Sequence, residues 1–408
     1  MTKWLFILAC GATFAAPAQV TAQSATNEEI AIIRAEIGEL MRRLDRLEQA
    51  SATASVSVQA RAVEAEQFIV IDAGRSNTSR VEISGDLRFR HEVIDDAAFA
   101  DRQRQRIRAR VGIDAEIAEN VNVGLRLATG GDNPASRNQT LDGGFSTKSL
   151  GFERAFFEWQ INDSLDISGG KMPNPFFRSG GHHLIWDNDV NPEGLALGYS
   201  RGSWFTNVAA LWVDERSSGD DGMMFGGQAG YTGTLGQGAH FTAGVSYYDY
   251  RNTQGHEAIF LNVNSGNRLD ANGNYLNDFN ELELFGQLDL TVSDRPLRLF
   301  IDYVDNTEAD DADTGLAFGA VYGGLDGQGT WEFGYAYQDL EADAVIAAFT
   351  DTDFSGGGTD GKGHVFDIAY GFADHWSLAF KYSINERGGD ERNERDYNRL
   401  QADINFRY

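Results

Sequence analysis

Between Arg102 and Ile117 the chain alternates without a break. Ile107, Ala109, Val111, Ile113, Ala115 and Ile117 hold odd positions, while Arg102, Arg104, Arg106, Arg108, Arg110, Gly112, Asp114 and Glu116 hold even ones. Successive side chains of a strand point to opposite faces, so this stretch reads as one strand with an apolar and a charged face; a helix would scatter the arginines around its axis. Mutual repulsion of the arginines requires a wet face, and the other face requires an apolar medium. The period-two pattern begins at Val81 and runs to Tyr408. It predicts sixteen strands, near 81–93, 102–118, 121–130, 149–161, 164–171, 193–201, 203–214, 222–236, 238–251, 279–293, 296–305, 315–324, 329–340, 362–373, 376–386 and 397–408.

The connections alternate in length. Short ones fall at Glu119-Asn120, Asn162-Asp163, Gly202, Gln237, 293–295, 325–328 and Asp374-His375, and the longest of the others are 131–148, 172–192, 252–278 and 341–361. Short turns on one rim and long loops on the other describe an all-β fold: a sixteen-stranded antiparallel transmembrane β-barrel over 81–408, of the up-and-down type found in bacterial outer membranes, with both termini in the periplasm. In the final strand Leu400, Ala402, Ile404, Phe406 and Tyr408 share one parity, against Gln401, Asp403, Asn405 and Arg407. An outward terminal aromatic with Phe406 and Ile404 behind it resembles the signal read by the barrel-assembly machinery. Phe157, Trp159, Tyr247, Trp331, Phe333 and Tyr335, near strand ends, are candidates for interfacial girdles against outer-membrane lipids.

Composition agrees with one large barrel across the 408 residues: 46 Gly, 6 Pro and 12% aromatics. The mean hydropathy is negative, as expected where lipid-facing and lumen-facing residues cancel. No apolar run of about 18 residues follows the N-terminus, which excludes a helical membrane protein. Residues 1–22 read as a signal peptide: Lys3, an apolar segment from Trp4 to Ala16, then Ala16-Pro17-Ala18 and Val20-Thr21-Ala22 as alternative cleavage sites. The single cysteine, Cys10, lies inside it, so the mature chain has no disulfide or thiol chemistry and no cofactor is indicated. A lipoprotein reading of Cys10 is poor, since the apolar stretch continues past it.

Over 23–50, Ile30, Ile33, Ile37, Leu40, Leu44 and Leu47 repeat at spacings of three and four. This predicts a short periplasmic α-helical coiled coil, because a strict 3.5 period is narrower than the face of a helix packed on its own protein. Residues 51–80 read as a linker. The formal charge of −27 grows by one unit when Lys3 leaves with the signal, and it excludes nucleic acid as a partner.

Four segments carry a family resemblance: DRQRQRIRARVGIDAEI at 101–117, VGLRLATGGDNPASRNQTLDGGFS at 123–146, SGGKMPNPF at 168–176 and LIWDNDVNPEGLAL at 184–197. In order and spacing they resemble the Putative porin family of Gram-negative outer membranes, with general-diffusion-type sixteen-stranded barrels. The resemblance implies a water-filled channel for ions and small hydrophilic solutes, a homotrimer, and one long loop folded inward, here near 172–192. It names no solute.

With the polar parity turned to the lumen, the first three strands present Arg88, Arg90, Arg104, Arg106, Arg108, Arg110 and Arg126 on one wall. Glu281, Glu283, Gln287 and Asp289 of the tenth strand lie opposite, and the inward loop brings Asp187 and Asp189, with Glu193 just after it. A basic wall facing carboxylates sets a transverse field across a constriction. The plainer alternative is that the arginines pair with nearby acids and stabilise a wide pore. Asp305, Glu308, Asp310, Asp311 and Asp313 crowd one outer loop and would enrich cations at the mouth.

Other motifs point less far. Asp187-x-Asp189-x-Asn191 and Asp270-x-Asn272-x-Asn274 lack the remainder of a calcium loop and read as Asx-turns. His182 and His183 read as a polar loop tip without further metal-ligand spacing. No nucleophile or acid dyad stands by a histidine, so no enzyme is predicted. An outer-membrane anchor, with the N-terminal helix contacting the cell wall, is the alternative to a channel.

Overall fold

The computed structural model describes residues 69–71, 80–236, 238–260, 265–390 and 393–408. The expected signal peptide, coiled coil and most of the linker lie outside the described residues. Sixteen long strands follow one another: β1 (Val81–Asp96), β2 (Arg102–Ala118), β3 (Val121–Thr129), β4 (Leu150–Asn162), β5 (Leu165–Lys171), β6 (Glu193–Arg201), β7 (Trp204–Asp214), β8 (Gly222–Leu235), β9 (Ala239–Arg251), β10 (Asn280–Val292), β11 (Arg295–Asn306), β12 (Thr314–Gly323), β13 (Trp331–Leu340), β14 (Gly361–Ala373), β15 (Trp376–Arg387) and β16 (Arg395–Arg407). Each pairs antiparallel with its sequence neighbours. The barrel closes where β16 meets β1, from Tyr397↔Asp96 to Arg407↔Asp86. Two short segments add to it: Ile69–Ile71 pairs with the start of β1, and Gln139–Thr140 pairs with Arg106 and Ile107 of β2.

Side-chain parity fixes which face looks where. On β1, Leu87 and Phe89 are exposed while Ser84, Arg90, Glu92 and Asp96 are buried. The same division continues around the barrel, with Val111, Ile113, Leu195, Val208, Ile301, Phe318, Phe366, Ile384 and Ile404 all exposed on the outer face. Leaving one such side chain in water costs about 1.5–3 kcal/mol relative to an apolar medium. A continuous belt of this size therefore requires lipid around it.

The two rims differ. Turns at 119–120, 163–164, 202–203, 293–294, 324–330 and 374–375, with the short β8–β9 connection, close one end, and Ser293 and Asp294, with φ of 52° and 60°, make a two-residue hairpin in which both residues are left-handed. Aromatics gather at this rim: Trp204 on Tyr231 (ring centroids 4.9 Å apart), Trp331 on Tyr370 (4.4 Å) and Trp376 on Phe406 (4.7 Å). Tyr408 extends β16 by exchanging both backbone bonds with Gly85, each 3.0 Å. A Cβ on Gly85 would stand 2.5 Å from the Tyr408 ring, so the glycine makes the seat for the terminal aromatic.

At the other rim several loops, not one, pack into the lumen. Met172, Phe176, Leu184, Ile185, Trp186 and Val190 of the 172–192 loop join Val345, Ile346 and Ala348 of the 341–360 loop, and Tyr275 and Phe279 before β10, in a single apolar core inside the barrel. Tyr248 and Tyr250 of β9 supply its wall. Phe176 meets Tyr248 edge to face at 4.9 Å, and Trp186 stacks on Phe349 at 5.7 Å.

Candidate functional site

The arginine wall is built by register. Pairing of β1 with β2 sets Arg88 opposite Arg108 and Arg90 opposite Arg106, flanked by Asp86↔Arg110 and Glu92↔Arg104. Like charges directly opposite destabilise a ladder, so carboxylates must intervene, and they come from four directions. On β1 itself, Asp86 takes Arg108 at 2.9 Å and Arg110 at 2.5 Å, and Glu92 takes Arg104 and, at 3.7 Å, Arg106. On β16, Asp403 accepts a bidentate pair of 2.7 Å bonds from Arg90, while Arg399 pairs with Glu92. On β4, Glu153 takes Arg126 at 2.6 Å. The loops supply Asp189, which is 3.6 Å from Arg108 and 3.8 Å from Arg110, and Asp353, which is 2.7 Å from Arg90 and 2.9 Å from Arg399.

Burial works against charge on Asp189, but Arg108, Arg110 and the Arg137 backbone N–H outweigh it and hold the carboxyl below the usual range. Asp353 is held well below that range in the same way, by Arg399 and Arg90 against its burial. Both loops are thus seated on the wall as carboxylates.

Carboxylates on the wall are shared between arginines. Asp86 serves two guanidinium groups and Glu92 three, while Arg90 takes two carboxylates and Arg110 three, so the positive charge is neutralised unevenly along the wall. Arg88 donates to Asn138 Oδ1 at 2.5 Å and enters no ion pair among the described residues. Arg106 reaches the Asn138 carbonyl at 3.2 Å. Arg88 and Arg106 are therefore the least neutralised members of the wall.

The opposite wall departs from the sequence reading. Glu281 and Glu283 have lumen parity, but both are buried under the inward loops instead of lining open space. Glu281 accepts from the Ile346 N–H at 3.2 Å, and Glu283 accepts from the hydroxyls of Ser246 and Tyr248. Only Asp289, further toward the short-turn rim, is half-exposed, pairing with Arg298 at 2.8 Å. Gln287 binds the Gly180 N–H at 2.8 Å and Ser179 Oγ donates to the Gly286 carbonyl at 2.6 Å, so the 172–192 loop crosses from β5 to β10. Glu193 is a second correction: it shares the outward parity of Leu195 and pairs with Lys171 at 2.7 Å on the outer face, away from the lumen.

Other residues found by motif are accounted for locally. Asp187 Oδ1 accepts the Asp189 N–H at 2.8 Å, and Asp270 Oδ1 accepts the Asn272 N–H at 2.7 Å, both Asx-turns. His182 and His183 do not form a loop tip. His182 Nε2 meets Gln338 Oε1 at 2.8 Å, and burial pushes its pKa down to about 4, leaving the ring neutral.

The sequence reading missed Glu153, Arg399, Asp353 and Asp403. Glu153 is hidden by a bulge: the register shifts between Arg126 and Leu127, so that Glu153 and Arg154 both turn inward where strict alternation sends one out. Arg154 then binds Asn191 Oδ1 of the crossing loop at 2.6 Å.

No curated protein sequence matches this chain. Among solved structures, the Pseudomonas putida OprB fold superposes with a TM-score of 0.54 at 13% identity, over 80% of this chain and 94% of that one. A triple mutant of the Rhodopseudomonas blastica porin gives 0.48 at 12% identity, over 80% and 100%. Likeness to OprB at that identity concerns the fold. The sequence pattern of the Putative porin family matches residues 94–281 and 275–408, well over half the chain. With its closed sixteen-stranded barrel and lipid-facing belt, this chain belongs to the Putative porin family of outer-membrane channel proteins.

Proposed function

We propose that this protein passes ions and small hydrophilic solutes by passive diffusion across the outer membrane, and that the arginine wall of β1, β2 and β3 is its selective element. The observation that carries this reading is Arg88, which among the described residues donates to Asn138 and pairs with no carboxylate, beside Arg106, whose ion pair with Glu92 is long at 3.7 Å. A wall that served stability alone would pair each cation. Charge held in a narrow, weakly screened passage acts over a longer range than on an open surface, so Arg88 and Arg106 would bias which ions enter. Asp189 and Asp353 set the loop edge of the same passage. Assembly as a homotrimer, with residues before the barrel in the periplasm, belongs to this proposal. Reversal potential in a salt gradient, compared between the native protein and an Arg88→Gln, Arg106→Gln variant, tests it.

A second reading has one observation in its favour. The apolar core formed by the inward loops occupies lumen on the β6–β13 side, and a barrel narrowed this far would serve as an anchor with little conduction. Correctly folded protein that opens no channels would establish that reading.

A further inference from the structure

Two loops more than 160 residues apart in the chain bring three metal-ligating side chains together inside the barrel. His183 and Asp187 come from the 172–192 loop and Asp351 from the 341–360 loop, and one ligand atom from each lies within 4.8 Å of the other two. His183 Nδ1 stands 3.8 Å from Asp351 Oδ2, an ion-pair distance longer than an ordinary hydrogen bond. The imidazole thus faces two carboxylates at a separation that leaves space for an ion between them.

Backbone donors fix both aspartates. Asp187 accepts the Asp189 N–H at 2.8 Å and the Thr352 N–H at 3.1 Å, and Asp351 accepts the Asp353 N–H at 2.7 Å. Such outer hydrogen bonds are what orient ligating carboxylates in metal sites. Around the cluster, Lys381 is 3.6 Å from Asp367 and Arg178 donates to the Trp186 carbonyl at 3.0 Å, so nearby cations have other partners. Asp187 is buried, while the His183 and Asp351 side chains keep 20% and 13% exposure, which leaves an approach for an ion.

We propose that His183, Asp187 and Asp351 form a site for a divalent transition-metal ion, of the kind zinc fills, which clamps the two inward loops together. One imidazole nitrogen favours zinc over calcium or magnesium, which take oxygen ligands. Two carboxylates match the ion's charge, and water takes the fourth position. Tetrahedral zinc spaces its ligand atoms about 3.3 Å apart, so side-chain movement of roughly an ångström completes the set.

The full-length protein in detergent, stripped with a chelator, is titrated with zinc by calorimetry and with cobalt(II) by visible absorption. One equivalent per chain is expected, with cobalt bands of a low-coordinate nitrogen–oxygen site that zinc displaces. His183→Ala and Asp351→Asn each weaken binding at least tenfold, while His240→Ala, at an exposed position near the short-turn end of β9, leaves it unchanged. Heat-modifiable migration on gels separates a lost ligand from a lost fold. No stoichiometric binding by the native protein overturns the proposal whatever the variants do. Binding that persists in both ligand variants, or that calcium displaces at equal concentration, overturns it too.

Discussion

Asp189, on a loop anchored to β10 at its far side, stands 3.6 Å from Arg108 of β2. One carboxylate thus holds the crossing loop against the arginine wall, and the same contact partly neutralises that wall.

Asp189→Asn removes the ionic part of this seat and keeps the side chain's size. Loss of hydrogen bonding to a charged group in a buried setting costs about 1.5–3 kcal/mol. The loop should sample detached positions, so single-channel recordings should show noisier and larger open levels, with an intact barrel by heat-modifiable migration. Quiet, unchanged openings would mean that the apolar core alone holds the loop.

Lipid-face substitutions should follow depth. Ile301 lies midway along β11 with its side chain exposed outward. Ile301→Lys should destabilise the barrel by about 2–4 kcal/mol in reversible unfolding from lipid vesicles. Lysine at Asp289, lumen-facing and half-exposed, should cost far less. Equal penalties would contradict the assignment of faces.

The terminal strand carries the assembly prediction. Phe406 packs on Trp376 at 4.7 Å and Tyr408 exchanges two backbone bonds with Gly85. Phe406→Ala should lower the yield of folded, membrane-inserted protein in cells several-fold more than it lowers refolding in detergent micelles. A matching loss in both settings would assign Phe406 to packing alone.

Removing residues 23–66 should leave a barrel that inserts into the outer membrane, because the barrel strands pair without them. Failure of the shortened chain to assemble would give that segment a part in folding.

Much of this was legible because lipid imposes a strict rule on strands. Alternation placed all sixteen strands to within a few residues, and the turns fell where alternation stopped. The same rule misled where local structure broke it. At Glu153 a bulge turns two neighbours inward, and no residue type marks that bulge in advance. Following the inward loop suggests the lumen for Glu193, but its parity with Leu195 places it outside. Asp86 and Glu92 share the arginines' face on β1 and were readable as partners from the start. Burial of Glu281 and Glu283, and the arrival of Asp351 and Asp353, depend on how distant loops fold into the lumen. Period two carries no information about that packing.

The most informative measurement is the reversal potential across a bilayer under a KCl gradient, for the native channel and for Arg88→Gln, Arg106→Gln. Discrete openings are expected from the native protein and a shift toward cation preference in the variant, with the barrel intact. Openings with the same reversal potential in both would contradict an arginine wall that selects ions, and folded native protein with no openings would contradict the channel itself.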